Sequence, residues 1–267
     1  MFHNISKPQE YLNISGIKLE IKRYSGAKKL PTLVFSHEGL GCIDMWRDFP
    51  EKLTQLTGCP ALVYSRQGYG RSDSCIVPRP LNYMTIEALE VLPKLLDATN
   101  IRNHILIGHS DGGSISLIYA GAKKRVQLQG IITMAPHVFC ERISVASIAE
   151  AKLAYFEGNL RSGLEKYHYD NVDCAFLGWN RAWLDPDFMQ WNIEKYLPGI
   201  NVPQLIIQGE NDQYGTVAQV DSIEEKSGST VTVHILENCQ HSPHKEQKEQ
   251  SLRLMQDFIK NTYQKSF

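Results

Sequence analysis

Short apolar segments alternate with helix-patterned ones along most of this chain, and that alternation restricts the folds open to it. Residues 31–36 (PTLVFS), 61–65 (ALVYS) and 104–109 (HILIGH) are dense in apolar side chains, as strands covered on both faces are. Helices are expected over about 45–56, with Asp44 as N-cap, over 82–98, and from just after Ser110. A further strand falls within 126–136. Strand, helix, strand in this rhythm specifies a parallel sheet with right-handed crossovers. Residues 17–23 (IKLEIKR) alternate more strictly and predict an antiparallel strand. The rhythm stops at Pro136. Residues 138–197 read as short aromatic-rich helices with no strand, holding three of the four tryptophans, Trp179, Trp183 and Trp191. It resumes with strands at 203–209 and 231–236. A helix capped by a Thr216/Gln219 box lies between them, and a last helix runs from Ser242-Pro243 to about 262.

The expected architecture is therefore α/β: a mostly parallel central sheet flanked by helices, with an inserted helical cap. The core comprises 1–137 and 198–267, and the cap 138–197. No polar linker flanks the insertion, so it is not an independent domain. A chain of 267 residues can bury a core of this kind without disulfide or metal staples. Its 28 basic and 29 acidic residues leave a net charge of -1, with no basic excess to track a nucleic-acid backbone. The start, MFHNISKPQE, lacks a basic region followed by an apolar core. No apolar run reaches the roughly 18–20 residues that cross a bilayer. Six cysteines without CxxC spacing read as free thiols of a reducing compartment. These features predict a cytoplasmic protein acting on small molecules rather than on nucleic acid or membrane, and leave both monomer and homodimer open.

The sharpest local signal is Gly108-His109-Ser110-Asp111-Gly112, a G-x-S-x-G placed where an apolar strand meets a helix. Glycines flank the serine because side chains there would strike the neighbouring elements. A serine so placed is a candidate nucleophile, with the helix N-terminus behind it to stabilise negative charge. It needs a base, and the base a carboxylate. Asp212, three residues past a late strand, is preferred as that acid over Glu210. His241 lies in the loop after the last strand and is preferred as base. His244 already falls in the following helix and is read as a packing or support residue. The backbone N–H of Asp111 and one from the loop His37–Gly41 are the candidate oxyanion donors, Gly39 first and Leu40 second. His37 can help shape that loop, and the remaining histidines read as loop or core residues.

Five motifs together resemble the α/β-hydrolase superfamily along nearly the whole chain: SHEGLG at 36–41, GYGRSD at 68–73, GHSDGGS at 108–114, GENDQYG at 209–215 and CQHSPH at 239–244. The resemblance implies Ser110, Asp212 and His241 as nucleophile, acid and base. It implies Gly39 and Asp111 as oxyanion donors and 138–197 as a helical cap. It further implies a serine hydrolase of carboxylic esters or lactones, with no cofactor. Small lactones such as acyl-homoserine lactones are among the substrates that fit. A C–C bond hydrolase, a cofactor-free lyase, a haloperoxidase-like enzyme or a non-catalytic small-molecule receptor would share the layout. No HxHxDH or HExxH cluster suggests a zinc site.

Two departures from the family pattern carry expectations of their own. Glu38 replaces the usual glycine after His37, and a carboxylate there needs a partner. Arg66, at the end of the next strand, is the expected one, and the pair would serve as a structural brace or steer a polar group of the substrate. Asp111 stands where many esterases carry a small or apolar residue, and its side chain is expected to face the pocket. Trp179 and Trp183 are the cap residues expected to roof Ser110.

Overall fold

In a computed structural model, residues 10–124 and 126–264 are described. The first nine and last three residues, which the sequence reading assigned to the core, lie outside them. Of the start MFHNISKPQE, only Glu10 is among the described residues. Eight strands form one sheet in the order β1-β2-β4-β3-β5-β6-β7-β8. They are β1 (Glu10–Ile14), β2 (Ile17–Tyr24), β3 (Thr32–Ser36), β4 (Ala61–Tyr64), β5 (His104–His109), β6 (Leu128–Met134), β7 (Gln204–Gly209) and β8 (Val231–Leu236). The β1–β2 and β2–β4 pairs are antiparallel and the rest parallel. β1 was not anticipated. Its residues EYLNI are mostly exposed at the sheet edge, so they carry little of the apolar signal a buried strand shows.

The central strands bury both faces, which explains their near-continuous apolar sequences. Val34, Leu62, Leu106 and Ile131 point into one core layer. Leu33, Phe35, Ile105, Ile107 and Ile132 point into the other. The chain order reverses at β3: β4 lies on one side of it and β5 on the other. In open α/β sheets the crevice beyond the carboxyl ends of such strands is where ligands bind.

Three helical expectations need correction. The helix expected at 45–56 is a 3-10 turn, Ile43–Trp46, then a break at Arg47 (φ 54°), then a helix Phe49–Thr57. Asp48 rather than Asp44 is the N-cap residue. Pro50 is the cause: inside a longer helix its ring would meet the carbonyl of Trp46, whereas in a first turn it costs nothing. The last helix is likewise split, into Pro243–Glu246 and Lys248–Gln264, and Ser242 makes no side-chain cap. The third is the box of Thr216 and Gln219, of which only the threonine half forms: Thr216 Oγ1 accepts from Ala218 N at 3.3 Å. The buried Gln219 side chain instead bonds the backbone of Val138 and Phe139, where the chain enters the insertion.

Between β6 and β7 the chain leaves the sheet as helices Arg142–Phe156, Leu160–His168 and Val172–Trp183, followed by 3-10 turns. This inserted helical cap sits over the carboxyl ends of the strands. His168 fastens it by donating from Nε2 to the Leu40 carbonyl (2.9 Å) and accepting at Nδ1 from Gly70 N (3.1 Å). Asn171 adds bonds to the Gly70 and Ser72 carbonyls. No helix among the described residues is long and apolar enough to cross a membrane.

Candidate active site

Ser110 sits between β5 and the helix Asp111–Ala122 with φ 51° and ψ -117°, a region that L-residues seldom occupy. Close approach of the elements enforces the turn. A Cβ on Gly112 would lie 2.0 Å from the Ser36 carbonyl oxygen, and one on Gly108 would lie 2.2 Å from that of Gly112. Both obstacles are backbone and cannot swing aside. Gly112→Ala should therefore lower stability by about 3 kcal/mol, the upper end of ordinary overpacking, read as a shift in urea midpoint at unchanged slope.

Asp212 and His241 arrive from the ends of β7 and β8, and their pairing is close. His241 Nδ1 lies 2.9 Å from Asp212 Oδ1 and 2.8 Å from Oδ2. A carboxylate there requires the proton on Nδ1, which leaves Nε2 as a base. Asp212 also accepts from Tyr214 N (2.8 Å) and Gln208 Nε2 (2.8 Å). Burial opposes its ionisation, but His241, with the Tyr214 N–H, outweighs it and holds the carboxyl below its ordinary value. Glu210, the rival acid, is exposed and makes no such contact.

The loop carrying His241 is held from three further directions. Glu246 accepts from Gln240 N (2.6 Å) and Ser242 N (2.9 Å), gripping the backbone on both sides of the histidine. His109 Nε2 donates to the His241 carbonyl at 2.7 Å. The Tyr214 ring packs 4.7 Å from the imidazole. Neither Glu246 nor Tyr214 figured among the sequence candidates. Glu246 stands four residues past Ser242, one beyond the capping-box position, which Lys245 occupies, so that sequence signal does not single it out.

The loop after β3 is ordered through one carbonyl. Glu38 O accepts from His37 Nδ1 (2.7 Å), Arg66 Nη2 (2.8 Å) and Gly41 N (3.1 Å). In a trans peptide the N–H points opposite to the carbonyl, so the Gly39 N–H is aimed away from Arg66. Burial, with Arg66 beside it, keeps the His37 ring well below its usual pKa and hence neutral. The ring then accepts the Arg66 backbone N–H at Nε2 (3.0 Å).

The expected Glu38–Arg66 carboxylate pair does not form. Arg66 braces the loop through the backbone, while the Glu38 carboxylate turns to Lys245 Nζ and His109 Nδ1, each at 3.3 Å. Burial disfavours its charge, yet the Lys245 ammonium, with the His109 and His244 rings nearby, outweighs it and keeps the carboxyl well below its ordinary range. Arg66 Nη1 instead lies 3.6 Å from Asp111 Oδ2. That carboxylate also accepts from Tyr83 OH at 2.6 Å, and Tyr83 OH accepts from Trp183 Nε1 at 3.0 Å. The Asp111 side chain thus points into the protein and away from the pocket, contrary to expectation. A fully buried carboxylate beside a buried guanidinium has its charge matched there, which the pocket offers no means to do.

A cavity of about 90 Å³ lies over Ser110. The core lines it with Glu38, Gly39, Leu40, Ser110, His137, Tyr214 and His241, and the cap with Ser144, Ile148, Trp179 and Trp183. Trp179 closes directly on Gly39: a Cβ there would fall 2.3 Å from the indole. His244 is not in the lining; it packs against Trp46 (4.9 Å) and His109 (4.7 Å). His137, read from sequence as a bland residue, does line it, 5.1 Å from the Trp183 ring and 5.8 Å from His241. Burial and the neighbouring His241 push its pKa down to about 3. Ser144 donates to the Tyr214 carbonyl and Ser147 to that of Gln213, so the first cap helix rests on the loop of Asp212. Among the described residues no group of three or more His, Cys, Asp or Glu is placed to hold a metal ion.

Known proteins place this arrangement. Residues 31–189, more than half of the chain, match the family described as the alpha/beta hydrolase fold. The 2-succinyl-6-hydroxy-2,4-cyclohexadiene-1-carboxylate synthase of Klebsiella pneumoniae (strain 342) is 28% identical over 155 residues. That match spans 58% of this chain and about half, 55%, of the synthase. An esterase from Exiguobacterium antarcticum superposes with TM-score 0.73 at 18% identity, over 92% of this chain and 97% of its own. The enol-lactonase from Burkholderia xenovorans LB400 does so with TM-score 0.70 at 18% identity, over 94% and 100%. A hydrolase from Pseudomonas aeruginosa PA01 gives 0.70 at 19% identity, over 95% and 99%. At such identities the likeness is one of fold. With the family match, the sheet order and the inserted cap in agreement, this chain belongs to the α/β-hydrolase fold family.

Proposed function

We propose that this protein is a serine hydrolase that cleaves small neutral carboxylic esters or lactones through an acyl-enzyme. The observation that carries the reading is the orientation of His241. Its Nδ1 is committed to a buried carboxylate, and its ring borders the same cavity as a serine held at positive φ. On this reading Ser110 Oγ attacks the carbonyl carbon as His241 Nε2 takes its proton. Asp212 holds the tautomer and offsets the imidazolium charge. The N–H groups of Asp111, at the first helical position, and of Gly39 receive the oxyanion, with Leu40 N–H the nearest alternative. His241 returns the proton to the leaving alcohol, then activates the water that frees the acid.

The cavity bounds the substrate. About 90 Å³ is smaller than the roughly 150 Å³ apolar cavity that holds benzene. A short acyl group fits beneath Trp179 and Trp183, while a long one must extend out of the mouth. The lining contains no lysine or arginine among the described residues, so a buried carboxylate on the substrate would find no cation. A lactone ring satisfies the same limits; an acyl-homoserine lactone does so when its acyl chain is short or lies outside. A cofactor-free lyase reaction, an elimination by the same triad, is the second reading; it is kept because the Klebsiella pneumoniae relative is named a synthase rather than a hydrolase.

A fluorophosphonate probe should label the protein at Ser110 and nowhere else, and 4-nitrophenyl acetate and butyrate should turn over faster than the decanoate. Mass spectrometry of the labelled peptide and initial rates across the ester series check this. Labelling without turnover of any ester or lactone in a panel would shift the reading to elimination. Absence of both would support a receptor.

A further inference from the structure

Cys75 and Cys174 lie 99 residues apart in sequence yet bring their sulfurs to 2.8 Å. Cys75 belongs to the loop that follows the Gly68-Tyr69-Gly70 turn, and Cys174 to the first turn of the cap helix Val172–Trp183. They meet where cap and core touch. The Cys75 backbone N–H donates to Cys174 Sγ at 3.2 Å, an arrangement that favours a thiolate. Arg79 completes the site. A Cβ on Gly68 would lie 2.5 Å from Arg79 Nη2, 2.7 Å from Cys75 Sγ and 2.8 Å from Cys174 Sγ, so the three groups surround one point left open by a glycine at φ +84°. Both thiols are half-buried and thus reachable, whereas Cys42, Cys59 and Cys239 are buried.

The acidities run the same way. The Cys75 hydrogen bond, with its backbone N–H and Arg79, brings Cys174 down to about 6 despite partial burial. Cys75 is pushed up by the same hydrogen bond and by burial. Burial drives Cys42 and Cys239 to about 12 and Cys140 to about 11.

We propose that Cys75 and Cys174 form a hydroperoxide-reactive dithiol, a site of reversible oxidation whose disulfide ties the cap helix to the core loop. The Cys174 thiolate attacks one peroxide oxygen; an S–O bond forms, the O–O bond breaks, and hydroxide or alkoxide leaves and takes up a proton. The product is a sulfenic acid at Cys174. Cys75 then loses its proton and attacks that sulfur; the S–S bond forms, the S–O bond breaks, and water leaves. Two thiols lose two electrons in total and the peroxide gains them. The sulfurs need to close by less than about 1 Å to reach disulfide length. A small dithiol reverses the reaction by exchange. This inference is independent of the chemistry assigned to Ser110.

The test uses the full-length reduced protein and limiting hydrogen peroxide. Two of its six thiols should disappear first. Peptide mapping should find the Cys75 and Cys174 peptides joined, two hydrogens lighter than their sum, and separated again by dithiothreitol. In Cys75→Ser, dimedone should trap a sulfenic acid at Cys174, and in Cys174→Ser no cross-link should form. Loss of other thiols first, direct passage of Cys174 to the sulfinic acid in the wild type, or no reaction would each overturn the proposal. The wild-type map decides the matter alone if a variant fails to fold.

Discussion

Ser110→Ala should cut kcat for 4-nitrophenyl acetate by roughly six orders of magnitude, and His241→Ala by a similar factor, because these residues act as a unit. Asp212→Asn should cost about 10⁴-fold, since the amide cannot hold the Nδ1–H tautomer that leaves Nε2 basic. KM should move little in all three. Thermal midpoint separates lost chemistry from lost fold. Ser110→Ala removes only a hydroxyl and should melt near the wild type, while Asp212→Asn leaves buried N–H groups of Tyr214 and Gln208 facing a weaker acceptor and should melt lower. Ester turnover by Ser110→Ala within tenfold of wild type would refute the assignment of the nucleophile.

Acidification should unfold this protein at a milder pH than ordinary carboxylate titration explains. His137 has a folded-state pKa of about 3 against an ordinary 6.5. For a base depressed in this way the unfolded chain binds the extra proton, so stability is full above 6.5 and falls as the pH drops below it. At about pH 5 this one ring accounts for about 2 kcal/mol of lost stability. His37 and His244 are depressed well below 6.5 by burial, and His168 in the same direction, so they deepen the loss. Burial raises Glu20 and Glu87, which offsets part of it as they take up protons on the folded side. Urea midpoints measured near pH 7 and near pH 5 should differ clearly, and His137→Asn should narrow the gap by about 2 kcal/mol. Equal midpoints at the two pH values would contradict the neutral, buried state of these rings.

The parts of this fold that were legible in the sequence are those set by short-range rules. Parallel strands covered on both faces must be apolar throughout, so β3 to β7 announce themselves. The elbow is visible because backbone crowding at Gly108 and Gly112 admits no side chain. Asp212 and His241 stand just past strand ends, where such sheets gather ligand-facing groups. Side-chain partners were much less legible. Glu38 chose Lys245, 207 positions away, over the nearer Arg66, because Arg66 was already engaged by the Glu38 carbonyl and Asp111. Nothing local to Asp111 reveals that a tyrosine and a guanidinium wait beneath it. His137 looked inert since its place in the cavity depends on how the cap folds back.

One further bond bears on how such a scaffold can be altered. The residue just before the candidate nucleophile, His109, grips the main chain of the candidate base through the His241 carbonyl. Two reacting groups supplied by different strands are thereby yoked at a point that takes no part in proton transfer. Anyone transplanting the segment around His241 into another scaffold would have to carry position 109 with it, or accept a ring free to drift.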